Sequence, residues 1–369
     1  MNKLKIIISG GGTGGHIFPA VSIADALKKK RPDADILFVG AEGRMEMQRV
    51  PAAGYKIIGL PIAGFDRKHL WKNASVLLKI WRSQREARKI IKDFEPDVAV
   101  GVGGYASGPT LNVCAQQGIP TLLQEQNSYA GVTNKILAKK ANRICVAYEG
   151  MERFFPADKI LFTGNPVRQN LVASDLRKDD ANKALGLDPE KVTILVIGGS
   201  LGARTINESI LNNLLLIRSQ EKVQFIWQTG KYYSESIQAV LAEKGCPDNL
   251  LVTDFISDMR TAYCAADLVI SRAGAGSISE LCLLGKPAIL VPSPNVAEDH
   301  QTKNAMALVE KDAAVCVKDD EAQRLLLPKA INLVLDTEQL RALSQNILAL
   351  ARPYAADTIA EEVLHLAGQ

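Results

Sequence analysis

Histidine is scarce in this chain, with four in 369 residues. The six cysteines, Cys114, Cys145, Cys246, Cys264, Cys282 and Cys316, are scattered, with no C-x-x-C pair among them. A His/Cys metal site is therefore not expected, and the thiols read as small buried hydrophobes of a reduced compartment. Charge of one sign is lacking too. A net charge of +4 over this length offers no general attraction for nucleic acid, so any basic partner surface must be local. No apolar run reaches the ~20 residues that cross a bilayer, and the first residues lead into a strand without a signal-like stretch. The expectation is a cytoplasmic protein. Aromatic residues are 5% and hydrophobic residues 47% of the chain, ordinary for a soluble α/β protein. The length exceeds one usual core, so two domains are expected.

Glycine is what the chain does have, and it is concentrated. The run Leu4 to Ser9 is short, apolar and β-branched, as in a strand buried on both faces of a parallel sheet. It empties into Gly10 to Gly15, five glycines in six positions, followed by His16. Such a turn lets the backbone take positive φ and turn N–H groups towards an anion. Pro19 suits the first position of the following helix. Gly10, Gly12 and Gly15 also satisfy G-x-G-x-x-G, so a dinucleotide-binding turn or a plain βα turn remains open on this loop alone. The terminal His16 is what a dinucleotide turn does not call for. Asp33-Ala34-Asp35 has the D-x-D form that holds a metal in some sugar-nucleotide enzymes. It precedes its strand, at the end of the sheet where ligands do not bind, and reads as a loop.

Residues 66 to 93 carry nine Lys/Arg against three acids, interleaved with Leu70, Trp71, Leu77, Leu78 and Trp81. On a helix, Arg82, Arg85, Lys89 and Lys92 share one face and Val76, Ile80, Ala87 and Ile91 another. A solvated helix face explains the charges; the tryptophans and leucines among them favour an anionic membrane surface. Further on, Val98 to Val102 leads into a second glycine turn, Gly103 to Gly108, and Pro120 to Gln124 ends in Glu125-Gln126-Asn127. These polar residues stand at the ligand-binding end of their strands, with turn capping as the plainer reading. A polar stretch, Ser174 to Glu190, sets a domain boundary near Asn165 to Arg168. The strand and glycine-turn pattern then restarts at Val192 with Gly198 to Arg204, and recurs at Arg272 to Glu280. There Gly274 to Ser277 suit a phosphate at a helix N-terminus, and Glu280, one turn in, can accept both hydroxyls of a ribose. Read together they suggest a nucleoside diphosphate. Compensation of the helix dipole is the plainer reading of Glu280.

Seven ordered motifs, GGGTGGHIFPA, GVGGYASGP, EQN, GNPVR, GGSLGAR, SRAGAGSISEL and DHQTKNA, spread over essentially the whole chain, closely resemble those of the MurG family of glycosyltransferases. The resemblance implies an α/β GT-B fold, with two Rossmann-like parallel-sheet domains facing a cleft and a last helix crossing back at Pro353. Residues 1–166, joined by 353–369, would bind acceptor and membrane; residues 167–352 would bind UDP-N-acetylglucosamine. The implied reaction is inverting transfer of N-acetylglucosamine to the lipid-linked muramyl-pentapeptide, lipid I, giving lipid II at the cytoplasmic face of the inner membrane. It needs no metal or cofactor, and it leaves room for other cell-wall synthesis proteins as partners. By resemblance, Ile256 meets the uracil, Glu280 the ribose, and Ser200 with Ala275, Gly276, Ser277, Ile278 and Ser279 the diphosphate. Arg168 faces the donor, Gln301 and Asn127 hold the sugar, and Thr13, Gly14 and Gly15 close over it.

An inverting displacement needs a base for the attacking hydroxyl. His16 suits that role, since an ordinary imidazole, of pKa about 6.5, is largely neutral at working pH, and the positive end of a helix starting at Pro19 disfavours the cation. Glu125 is the alternative base, and a His16 that only bonds pyrophosphate is the third reading. Another UDP-sugar-dependent GT-B transferase, a non-catalytic sugar-nucleotide-binding protein and an NAD-dependent dehydrogenase are the competing functions. The dehydrogenase would want an acidic ribose ligand about 20 residues beyond the first loop, for which Glu42 is the nearby candidate.

Overall fold

Ile6, Ile7 and Ile8 form the middle of β1 (Lys5–Ser9), and all three are 0% exposed. Successive strand side chains point to opposite faces. Ile6 and Ile8 accordingly join one apolar cluster and Ile7 another, so helices must cover both sides of the sheet. In the computed structural model, which describes residues 3–62, 73–167, 171, 176–199 and 201–369, the chain divides into two units. Unit 1 is Met1–Arg168 with Arg352–Gln369, and unit 2 is Gln169–Ala351.

Unit 1 holds β1, β2 (Asp35–Ala41), β3 (Lys56–Leu60), β4 (Val98–Gly101), β5 (Thr121–Glu125), β6 (Arg143–Val146) and β7 (Ile160–Phe162). They form one parallel sheet in the order β3-β2-β1-β4-β5-β6-β7. The order reverses between β1 and β4, the switch point where open α/β sheets leave a crevice. Its helices include α1 (Gly14–Lys30), α2 (Glu46–Ala52), α3 (Asn73–Phe94), α4 (Ser107–Gln116) and α5 (Val132–Leu137). The C-terminal helix Ala355–Leu366 belongs to this unit and buries Ile359, Ala360 and Val363 against Ile23 and Leu27 of α1. Lys30 to Glu361 at 2.6 Å and Arg143 to Glu362 at 2.7 Å border that contact.

Unit 2 repeats the plan with β8 (Val192–Ile197), β9 (Val223–Gln228), β10 (Leu250–Thr253), β11 (Leu268–Ser271), β12 (Ala288–Leu290) and β13 (Val315–Cys316). Their order is β10-β9-β8-β11-β12-β13, all parallel, with its own switch point between β8 and β11. The two-residue β13 gives no readable pattern in the sequence.

The sequence places the start of the first helix at Pro19; the structure starts α1 at Gly14, with Pro19 inside it. Gly14 and Gly15 therefore lie on the helix, and the true turn shrinks to Gly10–Gly12. Pro19 only withholds the N–H that would have reached the Gly15 carbonyl. His16 thus stands in the first turn of α1, its N–H donating to the Thr13 carbonyl at 3.1 Å. Asp33 pairs with Arg31 at 3.1 Å and Asp35 opens β2, both away from the carboxyl ends of the strands.

Burial pushes the Cys114 and Cys145 thiols up to about 12, so neither offers thiolate at neutral pH. Cys246 is exposed. At pH 8 a thiol-specific disulfide reagent should label Cys246 in the native protein and reach Cys114 and Cys145 only after denaturation. Native-state labelling of either buried thiol, read by peptide mass, would contradict this packing.

Candidate functional site

At the switch point of unit 1 three strand ends lie side by side. The loop after β1 and the loop after β4 touch through their backbones: a Cβ on Gly104, at φ +85°, would stand 2.4 Å from the Gly11 carbonyl oxygen. His16 reaches across the same seam. Its Nδ1 pairs with the Thr13 hydroxyl at 3.2 Å, and its Nε2 lies 3.0 Å from where a Gly103 Cβ would be. The ring is thus aimed by Thr13 at one nitrogen and laid against the second glycine turn at the other.

Beside it, Glu125 ends β5 at 1% exposure. Its Oε1 accepts from the Asn127 N–H at 3.1 Å and from Asn127 Nδ2 at 3.3 Å. Its Oε2 accepts from the Gly131 N–H at 3.0 Å and from Asn134 Nδ2 at 2.9 Å. Burial pushes this carboxyl above the ordinary carboxylate range, and the four donors act in the opposite sense. Chemically the group is a clamp on the turn that carries Asn127. Behind it, Gln126 Nε2 donates to the Val102 carbonyl at 2.8 Å and ties this turn to the second glycine loop.

On α3, Ser83, Ala87, Ile90 and Ile91 are buried, while Trp81 is 60% exposed and Arg82 and Arg85 are exposed. Leu77 and Leu78 also fall on α3; Leu70 and Trp71 lie outside the described residues.

Unit 2 carries a cavity of about 850 Å³ at its own switch point, a size ordinary for a small-molecule site. Gly198, Gly199 and Gly202 line it after β8, Ser271, Arg272, Gly274 and Ser277 line it after β11, and Ser293, Asn295 and Gln301 complete the wall. The helix Ala275–Leu284 starts there with Gly274 as its N-cap, so its first N–H groups and its dipole favour an anion. Gln301 Oε1 accepts from the Ser293 N–H at 2.8 Å, which fixes the side chain with its NH₂ as the donor end. Arg272 donates to the Val291 and Pro292 carbonyls at 3.1 and 3.2 Å and pairs with Asp319, whose other oxygen accepts from the Thr205 hydroxyl at 2.9 Å.

The remaining expected residues of unit 2 are spread more widely. Ala275 and Ile278 are buried, so their contribution to any ligand is main chain. Glu280 is 9% exposed and accepts from the Tyr263 hydroxyl at 3.0 Å. Neither it nor Ile256 lines the cavity. Arg168 and Ser200 lie outside the described residues.

Residues 6–146 match the glycosyltransferase family 28 N-terminal domain, and residues 193–359 match the C-terminal domain of the same family. The chain is 68% identical over 368 residues to the UDP-N-acetylglucosamine--N-acetylmuramyl-(pentapeptide) pyrophosphoryl-undecaprenol N-acetylglucosamine transferase of Bacteroides fragilis, covering 100% of this chain and 97% of that one. The protein of the same name from Porphyromonas gingivalis is 57% identical over 366 residues, covering 99% and 96% of the two chains. Among solved structures, Acinetobacter baumannii MurG aligns with a TM-score of 0.78 at 28% identity, over 99% of this chain and 100% of that one. The chain belongs to the MurG family of glycosyltransferase family 28. The GT-B fold reaches further, to a UDP-GlcNAc 2-epimerase from Neisseria meningitidis with a TM-score of 0.68 at 16% identity, a likeness of fold alone.

Membership of the MurG family sets aside the dehydrogenase and the non-catalytic binder. The structure also brings into view residues that the sequence did not single out. Arg272 is the second residue of the SRAGAGSISEL motif and a readable signal; its partner Asp319 sits in an Asp-Asp-Glu run that resembles any acidic helix start. Tyr233 and Thr205 of the cavity wall and Tyr263 behind Glu280 carry no spacing that marks them. Neither does Glu46, whose carboxylate accepts from the Gly12 N–H at 2.8 Å.

Proposed function

We propose that His16 is the general base of this enzyme and that the cavity of unit 2 holds its donor. The reaction is the transfer of N-acetylglucosamine from UDP-N-acetylglucosamine to the C4 hydroxyl of the muramyl sugar of lipid I, giving lipid II in peptidoglycan synthesis. The observation that carries the base assignment is the ring of His16, aimed by Thr13 and set against Gly103 at the switch point of unit 1. As the C4 oxygen forms its bond to C1 of N-acetylglucosamine, the bond from C1 to the β-phosphate oxygen breaks. UDP leaves with that electron pair, and the hydroxyl proton passes to the imidazole. A single displacement of this kind inverts the anomeric centre.

Glu125, with its two oxygens engaged by four donors, is better suited to positioning Asn127 than to taking a proton. The donor diphosphate is met by the N-terminus of the helix Ala275–Leu284 and by the Gly198–Gly199 turn, and the sugar by the Gln301 NH₂. Glu280 accepts from the ribose hydroxyls, with Tyr263 holding its carboxylate in place, and Ile256 meets the uracil through its backbone. Arg168 and Ser200 complete the donor site, and Thr13, Gly14 and Gly15 serve the sugar.

The acceptor is lipid-linked, and no helix among the described residues is long and apolar enough to cross a membrane. The face of α3 with Trp81, Arg82 and Arg85 is the surface suited to rest on the anionic cytoplasmic face of the inner membrane, and Leu70, Trp71, Leu77 and Leu78, which precede it in sequence, are proposed for the same contact. Trp81 at 60% exposure beside a row of bases supports it.

Three measurements test these roles. In His16→Ala, kcat should drop ~10²-fold or more, the usual size of a base contribution, with little change in the KM for UDP-N-acetylglucosamine; a retained kcat with weaker acceptor binding would move the base to Glu125. Glu280→Ala should weaken UDP binding by about 1.5 to 3 kcal/mol, as for a lost charged hydrogen bond, and unchanged affinity by calorimetry would remove Glu280 from the donor site. Trp81→Ser combined with Arg82→Glu and Arg85→Glu should release the protein from anionic vesicles, since each base contributes roughly 1 kcal/mol near such a surface. UDP affinity should stay the same, and undiminished vesicle flotation would assign this face to something else.

A further inference from the structure

A glycine-rich turn binds an anion through backbone N–H groups that the fold leaves available. In the first turn of this chain one of them is taken from inside. Glu46, the first residue of α2, is 1% exposed. Its Oε2 accepts from the Gly12 N–H at 2.8 Å and its Oε1 from the Ala41 N–H at 3.0 Å. The carboxylate lies against the main chain of the turn: a Cβ on Gly11 would stand 2.3 Å from both Cδ and Oε1, and one on Gly40 would stand 2.7 Å from Cγ. Gly11 and Gly12 have φ of +146° and +90°, a region that L side chains rarely adopt. From Gly11 the contacts continue to Gly104 and from Gly103 to His16 Nε2. Beyond the Glu46 carboxylate every junction in this series is backbone or the His16 ring, so a shift of the Gly11–Gly12 main chain meets no further flexible side chain before His16.

We propose that Glu46 is a positioning residue for the transfer reaction, an internal anion that fills the anion seat of the first glycine turn and fixes the main chain on which His16 is set. Hydrogen bonds to an ionised acceptor are roughly twice as strong as neutral ones, and removal of this acceptor leaves the buried Ala41 N–H and the half-buried Gly12 N–H unmet. The proposal deepens the reading of His16 as base and rests on it.

Glu46→Gln keeps the volume but replaces one accepting oxygen by an NH₂ that faces a backbone N–H. With the full chain, UDP-N-acetylglucosamine and a short-chain lipid I analogue, kcat should fall about 10- to 100-fold, the cost of a small misplacement of a reacting group. Any rise in the KM for UDP-N-acetylglucosamine should be smaller than the fall in kcat, because the donor cavity lies in unit 2 and only Thr13, Gly14 and Gly15 of the loosened turn serve the sugar. By hydrogen exchange, the segment from Gly10 to His16 should lose protection while β1 and β2 keep theirs. Glu46→Asp, which retains the charge but is one methylene short, should recover part of the lost kcat. A wild-type kcat in Glu46→Gln overturns the proposal. So does a loss of protection throughout unit 1, which would make Glu46 a residue of folding alone. The double variant with His16→Ala should turn over no more slowly than His16→Ala by itself; additive losses would show that Glu46 does not act through His16. If His16→Ala itself keeps its kcat, the base assignment fails, and Glu46 is then judged on the kcat and exchange of Glu46→Gln.

Discussion

Two main chains cannot approach to contact distance if either one carries a Cβ at the point of approach. That constraint governs the carboxyl ends of the strands in unit 1. The turns after β1 and β4 meet at Gly11 and Gly104, where an added methyl group would overlap the Gly11 carbonyl. Neighbouring strands at a switch point send their helices to opposite faces, so the crevice between them is lined by turn backbone. Closing that crevice to contact distance sets His16 against Gly103 and gives the Gln126 amide a reachable carbonyl at Val102. Unit 2 handles its own switch point the other way. Between β8 and β11 the turns stay apart, and the opening is the cavity whose walls carry Arg272, Gln301 and the start of a helix.

Much of this was legible in the sequence because parallel strands buried on both faces leave an unmistakable apolar run, and because the glycine turns follow them directly. Leu4 to Ser9 and Val98 to Val102 are strands to within one residue of the bounds their composition suggests. The start of α1 was not legible. Proline is favoured at the head of a helix, so Pro19 drew the boundary five residues late, whereas Gly14 and Gly15 adopt helical geometry despite their low propensity because the adjoining turn fixes their position. Local preference lost to tertiary context there.

The site residues divide along a similar line. His16, Asn127 and Gln301 could be read because they directly follow a glycine turn, a strand end or a loop with polar neighbours. The carboxylates of Glu46 and Asp319 meet partners 34 and 47 residues away in sequence, Gly12 and Arg272. No spacing rule reports a contact of that range; only the assembled sheet brings them together. Glu125 is an intermediate case. Its place at the end of β5 was legible, but the four donors that occupy its carboxylate come from a turn and a helix folded back over it.

The chain passes from unit 1 into unit 2 at residue 168 and returns at residue 352, so unit 2 is in effect an insertion into unit 1. A ribosome releases the chain from its N-terminus, and domains fold as units once their residues are available. All of unit 2 emerges while unit 1 still lacks the helix Ala355–Leu366. Until that segment appears, the apolar cluster that joins Ile23 and Leu27 of α1 to the sheet lacks Ile359, Ala360 and Val363. The order of completion therefore runs opposite to the order of synthesis: the unit begun second is finished first, and the unit bearing His16 closes its core only with the helix Ala355–Leu366.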